Sequence, residues 1–393
     1  VTGSVRSVSD DERRGRLGRR HHLAHRTSDV VTAGTDIAGL HATDPGSVYL
    51  AARARVRGFE VADLERALYD DRRLLRVLGM RRTMFVVDVA MAAAMNVACV
   101  RTIRDREWRS LGKLLTEQGI TADPETWLQE VAEATLAALR ARGEATAGEL
   151  REDVPELTET LVFGEGRRWA GSVGLSTRVL FLLSVDGKIV RGRPQGSWLS
   201  SQYRWAPTDE WLGGQPHEPE PAEAEQHIAT AWLRAFGPGT ERDLAWWTGW
   251  GVRRTRRALA EIGAVEVRTA AGEAFVLPDD ADEVTAPEPW VALLPALDPT
   301  TMGWKDRDWY LSGHATSLFD RNGNAGPTIW ADGRIVGGWA QRPEGEIAYR
   351  LLADMGSEAA TRIDAAAEEL TGWLGEARVA PRFRTPLERE LSG

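Results

Sequence analysis

Between Thr240 and Leu277 the spacing of apolar positions changes period twice, and the change marks a small structural unit. Thr240 with Asp243 three residues on forms a capping-box-like start to a short helix. After the turn Gly249–Gly251, Val252, Thr255, Leu259 and Ile262 recur at helical spacing and predict one apolar face. Arg253, Arg254, Arg256 and Arg257 fall on or beside the opposite face, and the helix is expected to stop near Gly263. Two β-prone runs follow, Ala264–Arg268 and Ala274–Leu277, joined by a turn around Ala271-Gly272. Helix, turn, basic helix and hairpin predict a winged helix-turn-helix, whose second helix and hairpin usually approach DNA.

The pattern recurs. Thr146, Glu149 and Leu150 repeat the Thr-x-x-acid-Leu start, Leu175, Val179, Leu182 and Leu183 mark a helix over about 174–184, and Asp186-Gly187 turns into β-prone Lys188–Arg191. Nearer the front, Val61, Leu64 and Leu68 share a helix face ahead of the hairpin-like pair Leu74–Leu78 and Thr83–Val87. Three loose copies predict a tandem array.

Beyond Pro289 the pattern is different. Trp290–Leu297, Thr328–Trp330 and Ile335–Trp339 alternate or run apolar, with turns at Asn322-Gly323-Asn324 and Asp332-Gly333. An alanine-rich helix is expected from about Ser357 to Leu374, and after it Pro381-Arg-Phe-Arg-Thr-Pro sets two arginines beside an aromatic, compatible with backbone contact or docking onto the body. The predicted class is α+β: three tandem winged helix-turn-helix units, then a small β-barrel-like domain and a C-terminal helix. The Pro- and Glu-rich stretch Gly213–Glu225 reads as the clearest linker and Pro278–Pro289 as a second. The expected divisions are 1–88, 89–212, 213–282 and 283–393.

A chain of 393 residues with 42% apolar content can bury several cores. It contains no apolar run long enough to span a membrane, and its first twenty residues lack the apolar centre of a signal peptide. Cys99 is the single cysteine, which excludes internal disulfides and cysteine-based metal sites and makes a cytoplasmic location the expectation. Net charge is −9, against nucleic acid at first sight, but placement matters more than the sum. Acid concentrates in Asp209–Glu225 and Asp279–Glu288, base in Arg13–Arg20, Arg72–Arg82 and Arg253–Arg257. Lysine occurs only at Lys113, Lys188 and Lys305, so the cations are nearly all arginine. That composition suits bidentate phosphate contacts and fits a GC-rich genome equally well.

Two polar clusters are chemical candidates. His21, His22 and His25 have metal-compatible spacing, but neighbouring arginines and the lack of Asp, Glu or Cys among them favour exposed or core-edge histidines and no metal. In His41-Ala-Thr43-Asp44-Pro45, Asp44 or Thr43 is a good N-cap and Pro45 a good first residue for the helix Pro45–Arg57. The functional alternative gathers His41, Thr43 and Asp44, with an exposed histidine and carboxylate, at that helix N-terminus. No Walker loop, HExxH or GxSxG is present and Gly192 and Gly196 are isolated, so no nucleotide cofactor is expected.

These features resemble the AlkZ/YcaQ-type family of winged-helix DNA glycosylases over most of the chain. The resemblance rests on Gly39-Leu-His-Ala-Thr-Asp-Pro-Gly-Ser-Val-Tyr-Leu, on Ala54-Arg-Val-Arg-Gly-Phe, and on Leu75-Arg-Val-Leu-Gly-Met-Arg-Arg-Thr-Met. Leu294-Pro-Ala-Leu-Asp298-Pro and Trp304-Lys-Asp306-Arg307 complete it. It implies three tandem winged helices and a C-terminal β-barrel around a basic channel, and hydrolysis of the N-glycosidic bond of alkylated or crosslinked purines. Two positions depart from the family pattern. His41-Ala42-Thr43 stands where a Gln-x-Gln pair is the hallmark, and Phe85 stands where histidine is common.

Under that resemblance His41 would orient or deprotonate the attacking water or protonate a leaving purine, and Thr43 would hold the water. Asp44 or Asp298 would stabilise the oxocarbenium-like sugar. Histidine in place of glutamine hints at uncharged lesions, whose bases need a proton to leave. Arg81, Arg82, Arg253, Arg254, Arg256, Arg257, Lys305 and Arg307 are the expected DNA contacts. The expected partner is double-stranded DNA bound by a monomer, nucleoid-associated when bound, with no cofactor, metal or membrane. The competing expectations are a DNA-binding protein that has lost catalysis and, more remotely, a protein-interaction scaffold.

Overall fold

The computed structural model describes residues 5–164 and 170–393, so the first four residues of the N-terminal stretch and 165–169 of the second repeat lie outside the description. Helices and antiparallel strands are mixed throughout. The chain forms two compact units that are discontinuous in sequence. One gathers the described parts of Val1–Leu64, Phe85–Asp88 and Glu225–Gly393, the other Glu65–Met84 and the described parts of Val89–Ala224.

In the first unit the helix Asp10–Arg20 starts at Ser9, whose hydroxyl accepts from the Glu12 amide at 3.1 Å. Its arginines do not form the exposed basic cluster that their sequence crowding implies. Arg13 and Arg16 are buried. Arg16 reaches Glu12 and Asp280, each at 2.8 Å, Arg20 also pairs with Asp280, and the Arg13 guanidinium lies 4.1 Å over the Trp309 ring. Asp10, Asp11 and Glu12 in its own first turn, with Asp280 more than 250 positions away, supply the counter-charges.

The helix Pro45–Arg55 is the buried centre of the unit. Every residue from Gly46 to Arg55 is buried, and the helix packs on the helix Val30–Asp36 and the strand Val291–Leu294. That strand begins a four-stranded antiparallel meander with Thr328–Ala331, Arg334–Gln341 and Ile347–Leu351 in chain order. Asp332 and Gly333 make its two-residue turn, both at positive φ (48° and 79°), as a hairpin of matching twist demands. The helix Gly356–Leu374 packs along both outer strands of the meander.

The stretch from Thr240 follows its sequence pattern closely. Thr240 and Asp243 form a reciprocal capping box, Gly249 ends the helix Glu241–Thr248 in the left-handed region, and the helix Val252–Glu261 follows. Strands Val265–Thr269 and Gly272–Val276 pair as predicted. Thr255, Ala258 and Leu259 are buried, but Val252, expected on the same face, is 54% exposed. It is the first residue of the helix, with no turn before it to complete a packed face.

In the second unit Thr146 and Glu149 make a matching capping box at the head of Ala147–Asp153. The helix Leu175–Val185 supplies Leu175, Val179, Leu182 and Leu183 to a core shared with Leu111, Leu128 and Leu139. After Asp186-Gly187 the strand Ile189–Pro194 pairs with Tyr203–Pro207. A second antiparallel pair, Thr160–Phe163 with Gly171–Gly174, is interposed between the two helices. The strand Leu74–Leu78 also forms in this unit, and Met84–Asp88, which from Phe85 on belongs to the first unit, forms where the sequence pattern marks it.

Candidate active site

The chain enters the candidate site through a constrained turn. Ala38 and Gly39 both have positive φ (55° and 111°), and a Cβ on Gly39 would lie 2.5 Å from Val87 Cγ1. This approach lets the short strand Leu40–His41 pair antiparallel with Met84–Asp88, Leu40 opposite Val86 and His41 opposite Phe85. The His41 ring meets Phe85 edge-on at 5.2 Å, and Phe85 meets Trp247 in the same manner at 6.3 Å. Thr43 is half-buried.

Asp44 caps the helix Pro45–Arg55: Oδ1 accepts from the Gly46 amide at 3.1 Å, and Oδ2 accepts from the Arg382 amide at 3.0 Å. The expectation of an exposed histidine and carboxylate is corrected, because His41 is 7% and Asp44 9% exposed. Strand pairing covers the imidazole, and the C-terminal tail covers the carboxylate. His41, Thr43 and Asp44 therefore converge at a strand-to-helix junction where helix amides favour negative charge.

Asp298 lies elsewhere. Its side chain and that of Arg55 are both 0% exposed, and its two oxygens accept from the Arg55 guanidinium at 2.6 and 2.9 Å. Oδ1 also caps the helix Pro299–Met302 by accepting from the Thr300 amide at 2.9 Å. Arg55 reaches back to the Ala51 carbonyl, about 9 Å of helix rise beyond Pro45. The two carboxylates read as alternatives for one sugar cation thus sit toward opposite ends of one helix.

Most of the expected DNA contacts already have polar partners within their own unit. Arg254 and Arg257 both pair with Glu225, and Arg256 pairs with Glu241 at 2.8 Å. Arg253 is exposed and has no ion pair among the described residues. Arg307 donates to the carbonyls of Trp304 and Gly323 and lies over Trp246 and Phe319, a packing role. Lys305 is exposed, its amide bound to Asp243. In the second unit Arg81 and Arg82 are exposed at positive φ, and Arg82 reaches Glu107 at 2.9 Å.

The three N-terminal histidines diverge. His21 is fully buried between Thr300 Oγ1 (2.8 Å) and the Ala235 carbonyl (3.1 Å), with its ring stacked on Trp304. Burial, reinforced by the nearby Arg55 charge, holds its pKa well below the usual imidazole range. His22 meets Asp36 at 2.8 Å and His25 is exposed. Among the described residues no group of three or more metal-ligating side chains converges. The residues that sequence reasoning missed are Arg55, Glu225 and the Arg382 backbone, whose partners are all remote in sequence.

The fold has a solved counterpart. The solved structure of the Streptomyces sahachiroi DNA glycosylase AlkZ superposes with a TM-score of 0.73, covering 96% of this chain and 99% of that one at 21% identity. The profile of the DNA glycosylase AlkZ-like family matches residues 35–373, and the chain belongs to that family. A curated relative, an interstrand DNA cross-link repair glycosylase of Streptomyces sahachiroi, is 31% identical over 130 residues. That alignment spans 31% of this chain and only 35% of the relative. No helix among the described residues is long and apolar enough to cross a membrane.

Proposed function

We propose that this protein is a monofunctional DNA glycosylase that releases a damaged or modified base from duplex DNA. The observation that carries the reading is the junction of His41, Thr43 and Asp44 at the head of a buried helix, in a member of a DNA glycosylase family. In the reaction a water oxygen bonds to C1′ as the C1′–N bond breaks, and that bond's electron pair leaves with the base. His41 takes the proton of the water or delivers one to the base, and Thr43 holds the water. Asp44, its charge favoured by the helix amides, faces the developing sugar cation. Asp298 acts here as a positioning residue through Arg55, fixing the helix that carries the site.

The helix–hairpin units ending at Met84–Asp88, Tyr203–Pro207 and Gly272–Val276 are read as three winged helices, and the meander beyond them as the barrel-like domain. The divisions 1–88, 89–212, 213–282 and 283–393 follow from that reading. Arg81, Arg253 and Lys305 would meet phosphates directly. Arg82, Arg254, Arg256 and Arg257 would exchange carboxylate for phosphate, and Arg307 would order the loop beside them. The protein acts as a monomer without a nucleotide cofactor, in the cytoplasm and on the nucleoid. The cross-link repair printed for the relative makes a crosslinked purine one candidate substrate.

The burial of His41 against Phe85 favours a second reading, a DNA-binding protein whose site has closed. Base release from duplexes carrying 7-methylguanine, 3-methyladenine, hypoxanthine, uracil or an interstrand crosslink separates the two. Release that falls by about 100-fold or more in His41→Ala, with duplex affinity kept, supports the glycosylase. Salt-sensitive duplex binding without release from any substrate supports the second reading.

A further inference from the structure

Beside the candidate site, and assigned no role so far, lies a cleft of about 650 Å³ formed by the loop around Asp320–Asn322 and the C-terminal segment from Arg382 to Arg389. Four arginines line it: Arg321, Arg382, Arg384 and Arg389, all exposed. Asp320 is the one acidic residue among those that line it, Glu388 lies in the same C-terminal segment, and both are engaged. Glu388 is buried and takes two hydrogen bonds from Arg384, at 2.7 and 2.9 Å. Asp320 accepts from the Asn322 and Asn324 amides and the Asn324 side chain, at 2.8 to 2.9 Å, within its own turn. Arg321, Arg382 and Arg389 form no ion pair among the described residues.

This arrangement contrasts with the helix Val252–Glu261, where three of four arginines are already neutralised. It is also tied to the candidate site, because Arg382 donates its backbone N–H to Asp44 and is itself a lining residue of the cleft. Guanidinium forks match phosphate oxygens bidentately. An excess of unpaired forks, one of them on the residue that touches Asp44, fits a nucleic-acid backbone running past the reacting nucleotide.

We propose that this cleft binds backbone phosphates of the DNA strand flanking the target nucleotide, through Arg321, Arg382 and Arg389. The proposal rests on the glycosylase reading for its ligand. The test is the salt dependence of binding to a short duplex, followed by fluorescence anisotropy, for the full chain and for R321Q/R382Q/R389Q. Each lost phosphate contact lowers the slope of log affinity against log salt by about 0.9, so the triple variant is expected to flatten it by about 2.7. R321K/R382K/R389K should keep the wild-type slope, which separates lost charge from lost structure, and Arg342→Gln, elsewhere on the surface, should leave it unchanged. If wild type and the glutamine variant bind the duplex with the same slope, the cleft is not a phosphate site and an acidic protein segment becomes the better occupant. If wild type shows no salt-sensitive duplex binding, the DNA reading itself fails, and this proposal falls with it.

Discussion

Replacing Asp298 by Asn removes one charge from a pair in which neither side chain has any exposure. Asn caps helices about as well as Asp, so the bond from the Thr300 amide is retained and the charge is the main loss. Arg55 keeps its bonds to the Ala51 carbonyl and Thr300 Oγ1, both at 2.8 Å, but stays cationic and buried with no counter-charge. Breaking such a pair from one side costs about 3–5 kcal/mol, a large share of the roughly 5–15 kcal/mol that holds a domain folded. Denaturant unfolding of wild type, Asp298→Asn, Arg55→Met and R55M/D298N measures it. The double variant removes both charges and should recover at least about 1.5 kcal/mol relative to the sum of the singles. Stability within about 1 kcal/mol of wild type in Asp298→Asn, together with lost base release, would refute the reasoning and return Asp298 to the chemistry.

Two other perturbations probe the same unit. His21 is held neutral in the folded state while the unfolded chain protonates near 6.5, so the unfolded state binds more protons below that pH. Stability should therefore fall as pH drops from 6.5 toward 5, by up to about 1.4 kcal/mol per unit, and His21→Gln should show a shallower fall; equal slopes would rule the histidine out. Gly39→Ala places a Cβ 2.5 Å from Val87 Cγ1 at a φ of 111°, and should cost about 2–4 kcal/mol in urea unfolding. A loss below about 0.5 kcal/mol would show that this turn relaxes freely.

What was legible in the sequence was local. Capping boxes at Thr240 and Thr146, the Asp44-Pro45 helix start and the Asp332-Gly333 turn each depend on residues within four positions of one another. Such signals survive without knowledge of the fold. Burial of charge did not, because it depends on partners far along the chain: Arg16 on Asp280, Arg55 on Asp298, Arg254 on Glu225. A run of arginines reads as a solvated basic face until those carboxylates are placed. For the same reason the motif residues His41, Thr43 and Asp44 could be named from sequence, while the Arg382 amide that seals Asp44 could not.

His41 and Phe85, the two positions singled out by the sequence resemblance, are cross-strand partners. A histidine opposite an imidazole would set two titratable rings face to face within a site that is already buried. Phenylalanine instead gives His41 an apolar edge contact and passes the packing on to Trp247. A single imidazole therefore stands on the strand that leads into the Asp44 cap. That edge contact packs the His41 ring on one side. On the proposed function, the same contact that packs this junction bears on the reactivity of His41, so His41→Ala and Phe85→Ala should both change base release, and unchanged release in Phe85→Ala would separate packing from chemistry.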